Sequence, residues 1–432
     1  METPTVADEL LARHRSVLPS WLALYYEEPI ELTRGEGCRV WDSEGRCHLD
    51  FFGGILTTMT GYNVPELIDA IRTQAGKMLH TSTLYLIEPM VALAERIAGL
   101  SGIPDAKVFF TTSGTEANDA ALLLATNYRS SHEILALRNS YHGRSFSAQA
   151  ITGNRFWSAS RLSGLSVSFI HGGYRMRSPW PDHDDESYTA ACVQDLREVI
   201  DMCTTGHIAA LIAEPIQGVG GFAMPPDGFF GAVKEVLDER GILFICDEVQ
   251  TGWGRTGEHF WGYQAHGIQP DFLTFAKGVG NGLALGGVVA RAELMDSLGA
   301  NSISTFGGNP LSCAGALANL EYLLDHDLQT NAAKMGNRLR LGLEPVADRT
   351  PEIAELRGRG LMLAMEFNCP GGREPHPAAA SAVHEGARRR GLLVGKGGLY
   401  GNVLRIAPPL CVSDAEIDEA VEILAAAAAD LR

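Results

Sequence analysis

Residues 241–252 read Gly-Ile-Leu-Phe-Ile-Cys-Asp-Glu-Val-Gln-Thr-Gly, a short apolar run that ends in the carboxylate of Asp247. Residues 272–282 read Phe-Leu-Thr-Phe-Ala-Lys-Gly-Val-Gly-Asn-Gly, with Lys277 between the apolar run and the glycines. A β-type run followed by a charged residue and glycines is typical of strands in an open α/β sheet, which present reactive groups at their carboxyl ends. The two stretches therefore predict an α/β fold with an acid and an amine at one edge of a sheet.

An amine and a carboxylate delivered in this way suit pyridoxal 5′-phosphate. The amine of Lys277 can form a Schiff base with the cofactor's aldehyde, and Asp247 can keep the ring nitrogen protonated so that the ring accepts electrons. Lysine is scarce in this chain, with six residues (77, 107, 234, 277, 334 and 396) among the 35 lysines and arginines. Of the six, Lys277 alone follows a five-residue apolar run.

Seven β-type runs alternate with helical patterns between residues 65 and 300. They are 107–110, 133–137, 165–170, 208–213, 241–246, 271–275 and 286–290. This alternation predicts a mostly parallel seven-stranded sheet with helices on both faces. We expect a large cofactor-binding domain over residues 61–310 and a small α+β domain over residues 311–432. An N-terminal segment over residues 1–60, with a hairpin around the turn 43–46, is expected to pack with the small domain.

The composition narrows the class of protein. A formal net charge of −17 argues against nucleic acid or an anionic membrane as the main partner. The eight cysteines form no C-x-x-C pair and have no zinc-ligand spacing, so we expect no metal site and a reducing compartment. The acidic start lacks an apolar targeting region, and no run of about 18 apolar residues is present. A soluble, cytoplasmic protein is the expectation.

Residues 111–119, Thr-Thr-Ser-Gly-Thr-Glu-Ala-Asn-Asp, join a predicted strand to an Ala/Leu-rich helix predicted over 119–128. Ser113, Gly114 and Thr115 lie where their hydroxyl and N–H groups can hold a phosphate at the positive end of the helix. The same residues also fit an ordinary N-cap with Glu116 in the first turn, which needs no ligand. The pattern alone leaves both interpretations open.

Polar residues follow the other strands as well. Tyr141 comes after the second run and is placed to cover a flat ring, although a surface tyrosine fits equally. Glu214 follows the run 208–213, and Pro215 ends that strand. Asp247 by itself fits a turn cap, but four consecutive strand ends that all deliver polar residues argue against independent caps.

Residues 252–257, Gly-Trp-Gly-Arg-Thr-Gly, match the G-x-G-x-x-G pattern of dinucleotide sites. That fingerprint opens a helix directly after a strand, whereas residues 247–251 intervene here. An NAD-dependent oxidoreductase is therefore the distant alternative.

Together these segments resemble the class III, or omega-type, pyridoxal-phosphate-dependent aminotransferases. The segments that carry the resemblance are Ser-Gly-Thr-Glu-Ala-Asn (113–118), Tyr-His-Gly (141–143), Glu-Pro-Ile-Gln-Gly (214–218), Asp-Glu-Val-Gln-Thr-Gly (247–252), Ala-Lys-Gly (276–278), Thr-Phe-Gly-Gly-Asn-Pro (305–310) and Leu-Arg-Ile-Ala-Pro-Pro (404–409). Further segments at 49–55, 80–83, 259–264 and 391–397 are similar to the alanine–glyoxylate aminotransferase 2 branch.

The resemblance implies fold type I of the pyridoxal-phosphate enzymes and ping-pong transfer of an amino group from an amine or amino acid to a 2-oxo acid such as pyruvate or glyoxylate. It implies a catalytic pair, Lys277 and Asp247. The implied cofactor contacts are Ser113, Gly114, Thr115, Tyr141, His142, Val249, Gln250 and Lys277, with Thr305 reaching in from a neighbouring subunit. The active unit would then be a homodimer or a dimer of dimers.

For the substrate, the resemblance implies that Arg405 binds an α-carboxylate in a bidentate pair and that Glu214 neutralises Arg405 when the substrate lacks one. Family members also include racemases, decarboxylating transaminases and amine-phosphate lyases, which share the lysine and the aspartate. These remain alternatives at the level of sequence, as does a non-catalytic cofactor-binding module.

Overall fold

The computed structural model describes residues 6–160 and 162–431. The first five residues of the acidic start, on which the expected lack of a targeting region partly rests, lie outside this range. The strands are β1 (Leu32–Glu36), β2 (Arg39–Asp42), β3 (Cys47–Asp50), β4 (Ala106–Thr111), β5 (Glu133–Leu137), β6 (Ser166–Ile170), β7 (Ile208–Ala213), β8 (Leu243–Asp247), β9 (Phe272–Phe275), β10 (Gly286–Arg291), β11 (Ile353–Arg359), β12 (Met362–Phe367), β13 (Leu392–Leu393), β14 (Gly395–Gly397) and β15 (Val403–Ile406).

The helices lie between and around these strands. They are α1 (Val6–Val17), α2 (Gly53–Leu56), α3 (Pro65–Lys77), α4 (Glu88–Leu100), α5 (Gly114–Arg129), α6 (Phe146–Ala150), α7 (Asp185–Cys203), α8 (Phe229–Arg240), α9 (Ala292–Met295), α10 (Pro310–Asp325), α11 (Leu328–Arg349), α12 (Pro377–Arg389) and α13 (Asp414–Ala429). Among the described residues, no helix is both long and apolar enough to cross a membrane.

The central sheet has seven strands in the order β4-β10-β9-β8-β7-β5-β6. Strand β10 pairs antiparallel with both of its neighbours, and the other pairings are parallel. The predicted α/β fold with a mostly parallel seven-stranded sheet is confirmed. Because β4, β5, β7, β8 and β9 run in the same direction, their carboxyl ends meet at one edge of the sheet.

Two helical layers bury the faces of this sheet. All six residues of β7 are buried, as expected for a strand covered on both sides. On one face α5 packs Ala121, Leu122 and Ala125 into a cluster with residues of β5 and β7. On the other face α7 and α8 contribute to the largest apolar cluster. This packing makes the sheet a rigid support for the loops at its edge.

Helix α5 begins at Gly114, five residues before the start predicted from the sequence. The residues between 114 and 119 include Thr115, Asn118 and Asp119, which favour caps and turns rather than helix interiors. The helix nevertheless begins at Gly114 because Ser113 caps it: the hydroxyl of Ser113 accepts from the N–H of Glu116 at 3.2 Å. The helix start therefore lies directly at the loop that follows β4.

A small antiparallel sheet has the order β11-β12-β15-β14. Its strand β15 carries Arg405, the predicted substrate-binding residue. A third sheet has the order β1-β2-β3-β13 and contains the predicted hairpin, β2 and β3. Strand β13 comes from the C-terminal part of the chain and pairs parallel with β3. The N-terminal segment thus contacts the C-terminal region directly, while the domain boundaries themselves stay a prediction.

Candidate active site

The polar residues at the strand ends surround one cavity of about 320 Å³. Its lining residues are Thr57, Thr112, Ser113, Gly114, Thr115, Asn118, Tyr141, His142, Gly143, Glu214, Asp247, Val249, Gln250, Ala276, Lys277 and 282–285. Ten of the twelve residues named from the sequence therefore lie together. Arg405 and Thr305 are outside this lining.

Asp247 is the last residue of β8 and is held by three donors. Its Oδ2 accepts from Asn118 Nδ2 at 2.8 Å and from His142 Nδ1 at 2.7 Å. Its Oδ1 accepts from the N–H of Val249 at 3.1 Å. This bond, from a side chain to the backbone two residues later, caps the turn as the sequence allows. A carboxylate bound by these donors is fixed in orientation before any ligand arrives.

Asn118 extends this arrangement to the next strand. Its amide nitrogen also donates to the carbonyl of His142 at 2.9 Å, and its oxygen accepts from the hydroxyl of Thr274 on β9 at 2.7 Å. One buried amide therefore connects α5, the loop after β5 and two neighbouring strands. The Nε2 of His142 is buried and has no partner among the described residues.

Lys277 follows β9 at the base of the cavity with a φ of 47°, in the left-handed region. A side chain rarely adopts this conformation, which costs about 1–3 kcal/mol and persists only where the surroundings impose it. Burial lowers the pKa of Lys277 to about 8, although the carboxylates of Asp247 and Glu214 act in the opposite direction. The ammonium makes no hydrogen bond or ion pair with any described residue, and its lowered pKa means that it releases its proton more readily than an ordinary lysine.

The start of α5 offers free donors to the same cavity. The N–H groups of Gly114 and Thr115 donate to no described residue, while Ser113 caps Glu116 as above. The carboxylate of Glu116 turns away, accepting from Thr112 at 2.7 Å and 2.8 Å and from the hydroxyl of Ser304 at 2.8 Å. The helix cap and an anion site are therefore compatible. The hydroxyl of Ser113 and the N–H of Glu116 form the cap, and the N–H groups of Gly114 and Thr115 remain for an anion.

Val249 and Gln250 lie in the cavity with little free space around them. A Cβ on Gly114 would be 3.0 Å from Val249 Cγ2, and one on Gly218 would be 2.1 Å from Gln250 Nε2. Glycine is therefore required at position 218 for Gln250 to occupy its place. The Oε1 of Gln250 is buried and has no hydrogen-bond partner among the described residues, which leaves one polar atom for a ligand.

Glu214 is fully buried at the end of β7. Its Oε1 accepts from the N–H of Tyr141 at 3.0 Å and its Oε2 from the N–H of Gly218 at 2.8 Å. Burial raises the pKa of Glu214 to about 7. The side chain forms no ion pair with Arg405, so the predicted neutralisation of that arginine stays a prediction.

Arg405 is 4% exposed and has no carboxylate partner among the described residues. Its Nη1 donates to the carbonyl of Gly218 at 3.3 Å and its Nη2 to the carbonyl of Lys396 at 3.1 Å, while Nε is buried without a partner. The guanidinium carbon lies 4.8 Å from the ring centroid of Phe52 and 5.8 Å from that of Phe222. A buried guanidinium without a counter-ion is costly unless an anion binds it.

Thr305 is exposed and lies apart from this cavity. Its neighbour Ser304 nevertheless connects the loop to Glu116 at the start of α5. The G-x-G-x-x-G stretch at 252–257 forms turns between β8 and a short 3₁₀ segment, Gly262–His266, and opens no helix. The structure thus lacks, at this stretch, the feature that a dinucleotide fingerprint requires.

Asn118, Thr57 and Phe52 are among the residues in or beside the site that the sequence does not identify. Asn118 lies one helical turn after Gly114, so the sequence already indicates that the two residues share a face of the helix. Thr57 follows α2, in which Gly53, Gly54, Ile55 and Leu56 all have positive φ. Phe52 contacts Arg405 across 353 positions of sequence, and no local pattern marks such a contact.

Comparisons with known proteins agree with one another. The family described as "Aminotransferase class-III" matches residues 24–428. The alanine–glyoxylate aminotransferase 2 homolog 2 of Arabidopsis thaliana is 37% identical over 97% of this chain and 87% of its own length. The solved (S)-enantioselective omega-transaminase of Thermomicrobium roseum is 35% identical with a TM-score of 0.91, and each chain is covered fully. An amine transaminase from an uncultivated Pseudomonas species, solved with pyridoxal phosphate bound, is 32% identical with a TM-score of 0.89 over 96% of this chain and 98% of that one.

Proposed function

This chain belongs to the class III aminotransferases, and we propose that it transfers an amino group between alanine or a related donor and glyoxylate or pyruvate. The family establishes a pyridoxal-phosphate-dependent enzyme that moves an amino group from an amine or amino acid to a 2-oxo acid by a ping-pong mechanism. The observation that carries the proposed substrates is the buried, uncompensated guanidinium of Arg405. Alanine, pyruvate and glyoxylate share a carboxylate next to the reacting carbon, which this guanidinium can pair.

The residues present fit pyridoxal 5′-phosphate. The free N–H groups of Gly114 and Thr115 would hold its phosphate at the positive end of α5. The orphaned Oε1 of Gln250 matches a polar substituent of the ring, because the amide can turn to present its nitrogen instead. Asp247, already fixed by its donors, would pair with the ring nitrogen, and Tyr141 and Val249 would contact the ring. When bound, the cofactor supplies an aldehyde that takes up the donor's amino group and a ring that accepts electrons.

Lys277 has two tasks in this arrangement. Its amine would hold the cofactor covalently between turnovers. It would also carry the proton from the donor's Cα to the cofactor and, in the second half-reaction, from the cofactor to the Cα of the amino acid that forms. A base is most effective when its pKa lies near the working pH, and a pKa of about 8 meets this condition. Among the described residues, Lys277 is the one amine side chain that lines the cavity.

Arg405 and Glu214 would sort substrates by charge. With a carboxylate-bearing substrate, Arg405 binds the carboxylate and Glu214 keeps its two backbone bonds. With a simple amine, Glu214 would turn to neutralise Arg405. A pKa of about 7 supports such a change, because the carboxyl of Glu214 can hold or release a proton at little cost near neutral pH.

A homodimer, or a dimer of such dimers, is the proposed assembly, with Thr305 of the partner subunit completing the phosphate site. Support comes from exposed apolar side chains on both sides of Thr305 and at 84–86, here called the apolar patch: Leu84, Tyr85, Leu86, Ile303 and Phe306, of which Leu86 is 99% and Phe306 61% exposed. The ring of Phe306 lies 5.1 Å from that of His80, and a groove of about 590 Å³ lined by Met90, Phe110 and Ile303 lies beside the patch. Exposed apolar surface of this kind, next to the Thr305 loop, favours a second copy as the occupant.

The cytoplasm is the proposed location, on the grounds of composition alone. The mitochondrial location printed in the name of the plant relative is a property of that protein.

The experiment is a half-reaction. Addition of L-alanine alone to the cofactor-loaded protein should convert the cofactor's absorbance to that of its amine form, with release of one equivalent of pyruvate per site. Glyoxylate should then restore the starting spectrum. Racemisation of alanine without pyruvate, or a spectrum that does not change, would refute transamination of alanine. The Lys277→Ala variant is the control that lacks the covalent attachment.

A further inference from the structure

The N-terminal segment Tyr25–Glu28 docks on the C-terminal region through several specific contacts. The ring of Tyr26 stacks on that of His384, with centroids 4.5 Å apart and planes 12° from parallel. The N–H of Glu27 donates to the Oε1 of Glu385 at 2.9 Å, and Arg388 pairs with the carboxylate of Glu28 at 2.8 Å. These contacts fix the segment against α12.

Tyr25 shares a hydrogen-bond acceptor with Arg405. Its hydroxyl donates to the carbonyl of Lys396 at 2.9 Å and also accepts from the N–H of Lys396. The Nη2 of Arg405 donates to the same carbonyl at 3.1 Å. Two donors on one carbonyl constrain each other, because movement of that peptide changes both bonds at once.

The ring of Tyr25 adds a second connection. It stacks on the ring of Phe52 with a centroid distance of 5.6 Å and an interplanar angle of 2°, and Phe52 lies 4.8 Å from the guanidinium carbon of Arg405. A guanidinium is attracted to the face of an aromatic ring. Arg405 is thus positioned by a carbonyl and by a ring, and Tyr25 contacts both.

We propose that Tyr25 is a positioning residue for Arg405, so that recognition of the substrate carboxylate depends on the docked N-terminal segment. This inference rests on the proposed role of Arg405. Tyr25 need not touch the substrate. It holds the Lys396 peptide and the Phe52 ring in places that leave the Nε of Arg405 without a protein partner and able to donate to an anion.

The test uses two matched tyrosine variants. Tyr25→Phe keeps the ring stack and removes both hydrogen bonds to Lys396. Tyr26→Phe removes the hydroxyl that donates to the carbonyl of Val394 at 3.3 Å, in the same segment but away from Arg405. Tyr25→Leu, a second variant, removes the ring stack as well. Cofactor content and thermal midpoint are measured for each variant to confirm that it folds.

The readout is the half-reaction with a donor alone, so that no carboxylate-bearing acceptor is present. For Tyr25→Phe we expect the concentration of L-alanine that gives half the limiting rate of this half-reaction to rise about 2- to 10-fold, because Arg405 is held less firmly while its own contact with the carboxylate remains. The limiting rate should stay nearly unchanged. The half-reaction with 1-phenylethylamine, which has no carboxylate, should change less than 2-fold. Tyr25→Leu should enlarge the alanine effect, and Tyr26→Phe should leave the ratio between the two donors as in the wild type.

Equal effects on both donors, or the same ratio for Tyr25→Phe and Tyr26→Phe, would overturn the proposal. Arg405→Ala, run in parallel, separates this failure from that of the proposed function. If Arg405→Ala shifts the donor ratio and Tyr25→Phe does not, only the positioning role fails. If Arg405→Ala leaves the ratio unchanged, the carboxylate site lies elsewhere and both proposals fail.

Discussion

Glu214 and Arg405 hydrogen-bond to the two backbone groups of one residue, since Gly218 donates its N–H to Glu214 and accepts from Arg405 with its carbonyl. The carboxyl group of Glu214 and the guanidinium of Arg405 are thereby held near Gly218 without forming an ion pair with each other. Gly218 also allows Gln250 to approach, because any side chain there would collide with it. The proposed carboxylate-binding group, a titratable acid and a proposed cofactor contact therefore all depend on Gly218.

The first prediction concerns Arg405. Arg405→Ala should lower kcat/KM for L-alanine about 10-fold or more, since each hydrogen bond to a charged group is worth about 1.5–3 kcal/mol. The value for 1-phenylethylamine should fall far less. Steady-state kinetics with each donor measure both, and Arg389→Ala, at an exposed arginine of α12, is the matched control. Equal losses for the two donors would make Arg405 a structural residue.

The second prediction concerns Asn118. Asn118→Ala removes a donor to the carboxylate of Asp247 and the acceptor of the Thr274 hydroxyl. Because a hydrogen bond to a charged group is lost, we expect the affinity for pyridoxal phosphate to fall about 10-fold. Titration of the cofactor-free protein measures this affinity. Asn127→Ala, at the exposed end of the same helix, should bind the cofactor like the wild type, and a similar result for Asn118→Ala would contradict the role given to it.

The arrangement around Asp247 also shows what sequence reasoning can reach. The sequence predicts Asp247 and Lys277 at strand ends, because an apolar run, a charged residue and glycines are local signals. The triangle of Asp247, His142 and Asn118 depends on strand order, which brings β8 beside β7 and β9. Strand order is set by packing between distant segments, so no window of sequence contains it.

The start of α5 and the surroundings of Arg405 are two further features that the sequence does not predict. The sequence predicts the start of α5 five residues too late, because its first turn contains residues of low helix propensity. The contacts of Arg405 with Phe52 and Lys396 require two sheets to be assembled first, the one that contains β14 and β15 and the one that contains β3. The family motifs identified the arginine itself, whereas its surroundings follow only from the fold.

The third prediction is a pH effect on stability through Glu214. Its pKa in the folded protein, about 7, lies above the ordinary 4.5, so the folded state binds the proton more tightly than the unfolded state. The stability from this group is fully present below pH 4.5 and is lost as pH rises to 7. Glu214→Gln has no such loss.

Between pH 4.5 and 7, the free energy of unfolding of cofactor-free Glu214→Gln should therefore rise relative to wild type by about 3 kcal/mol. Urea unfolding at several pH values measures the difference. Glu235→Gln, at an exposed glutamate of α8, is the control. A difference that does not vary with pH would mean that Glu214 titrates normally.

The fourth prediction is the oligomeric state. Sedimentation velocity should show a dimer or a tetramer for the wild type, and a Leu86→Glu, Phe306→Glu double variant should dissociate with loss of cofactor affinity. Charge placed in a buried interface is strongly unfavourable. Met202→Glu, at another highly exposed apolar residue, should remain assembled. A fully active monomer would exclude any need for Thr305 of the partner subunit.

The covalent attachment of pyridoxal phosphate to Lys277 is the claim on which the rest depends, and borohydride reduction tests it most directly. The reduced protein is digested, and the peptide that carries the cofactor's mass is identified by mass spectrometry. The modified residue is easy to assign because the chain has only six lysines. The account predicts one modified peptide, containing Lys277, and no modification in Lys277→Ala, which should also have almost no turnover. Modification of another lysine, or a Lys277→Ala variant that is still labelled and active, would contradict it.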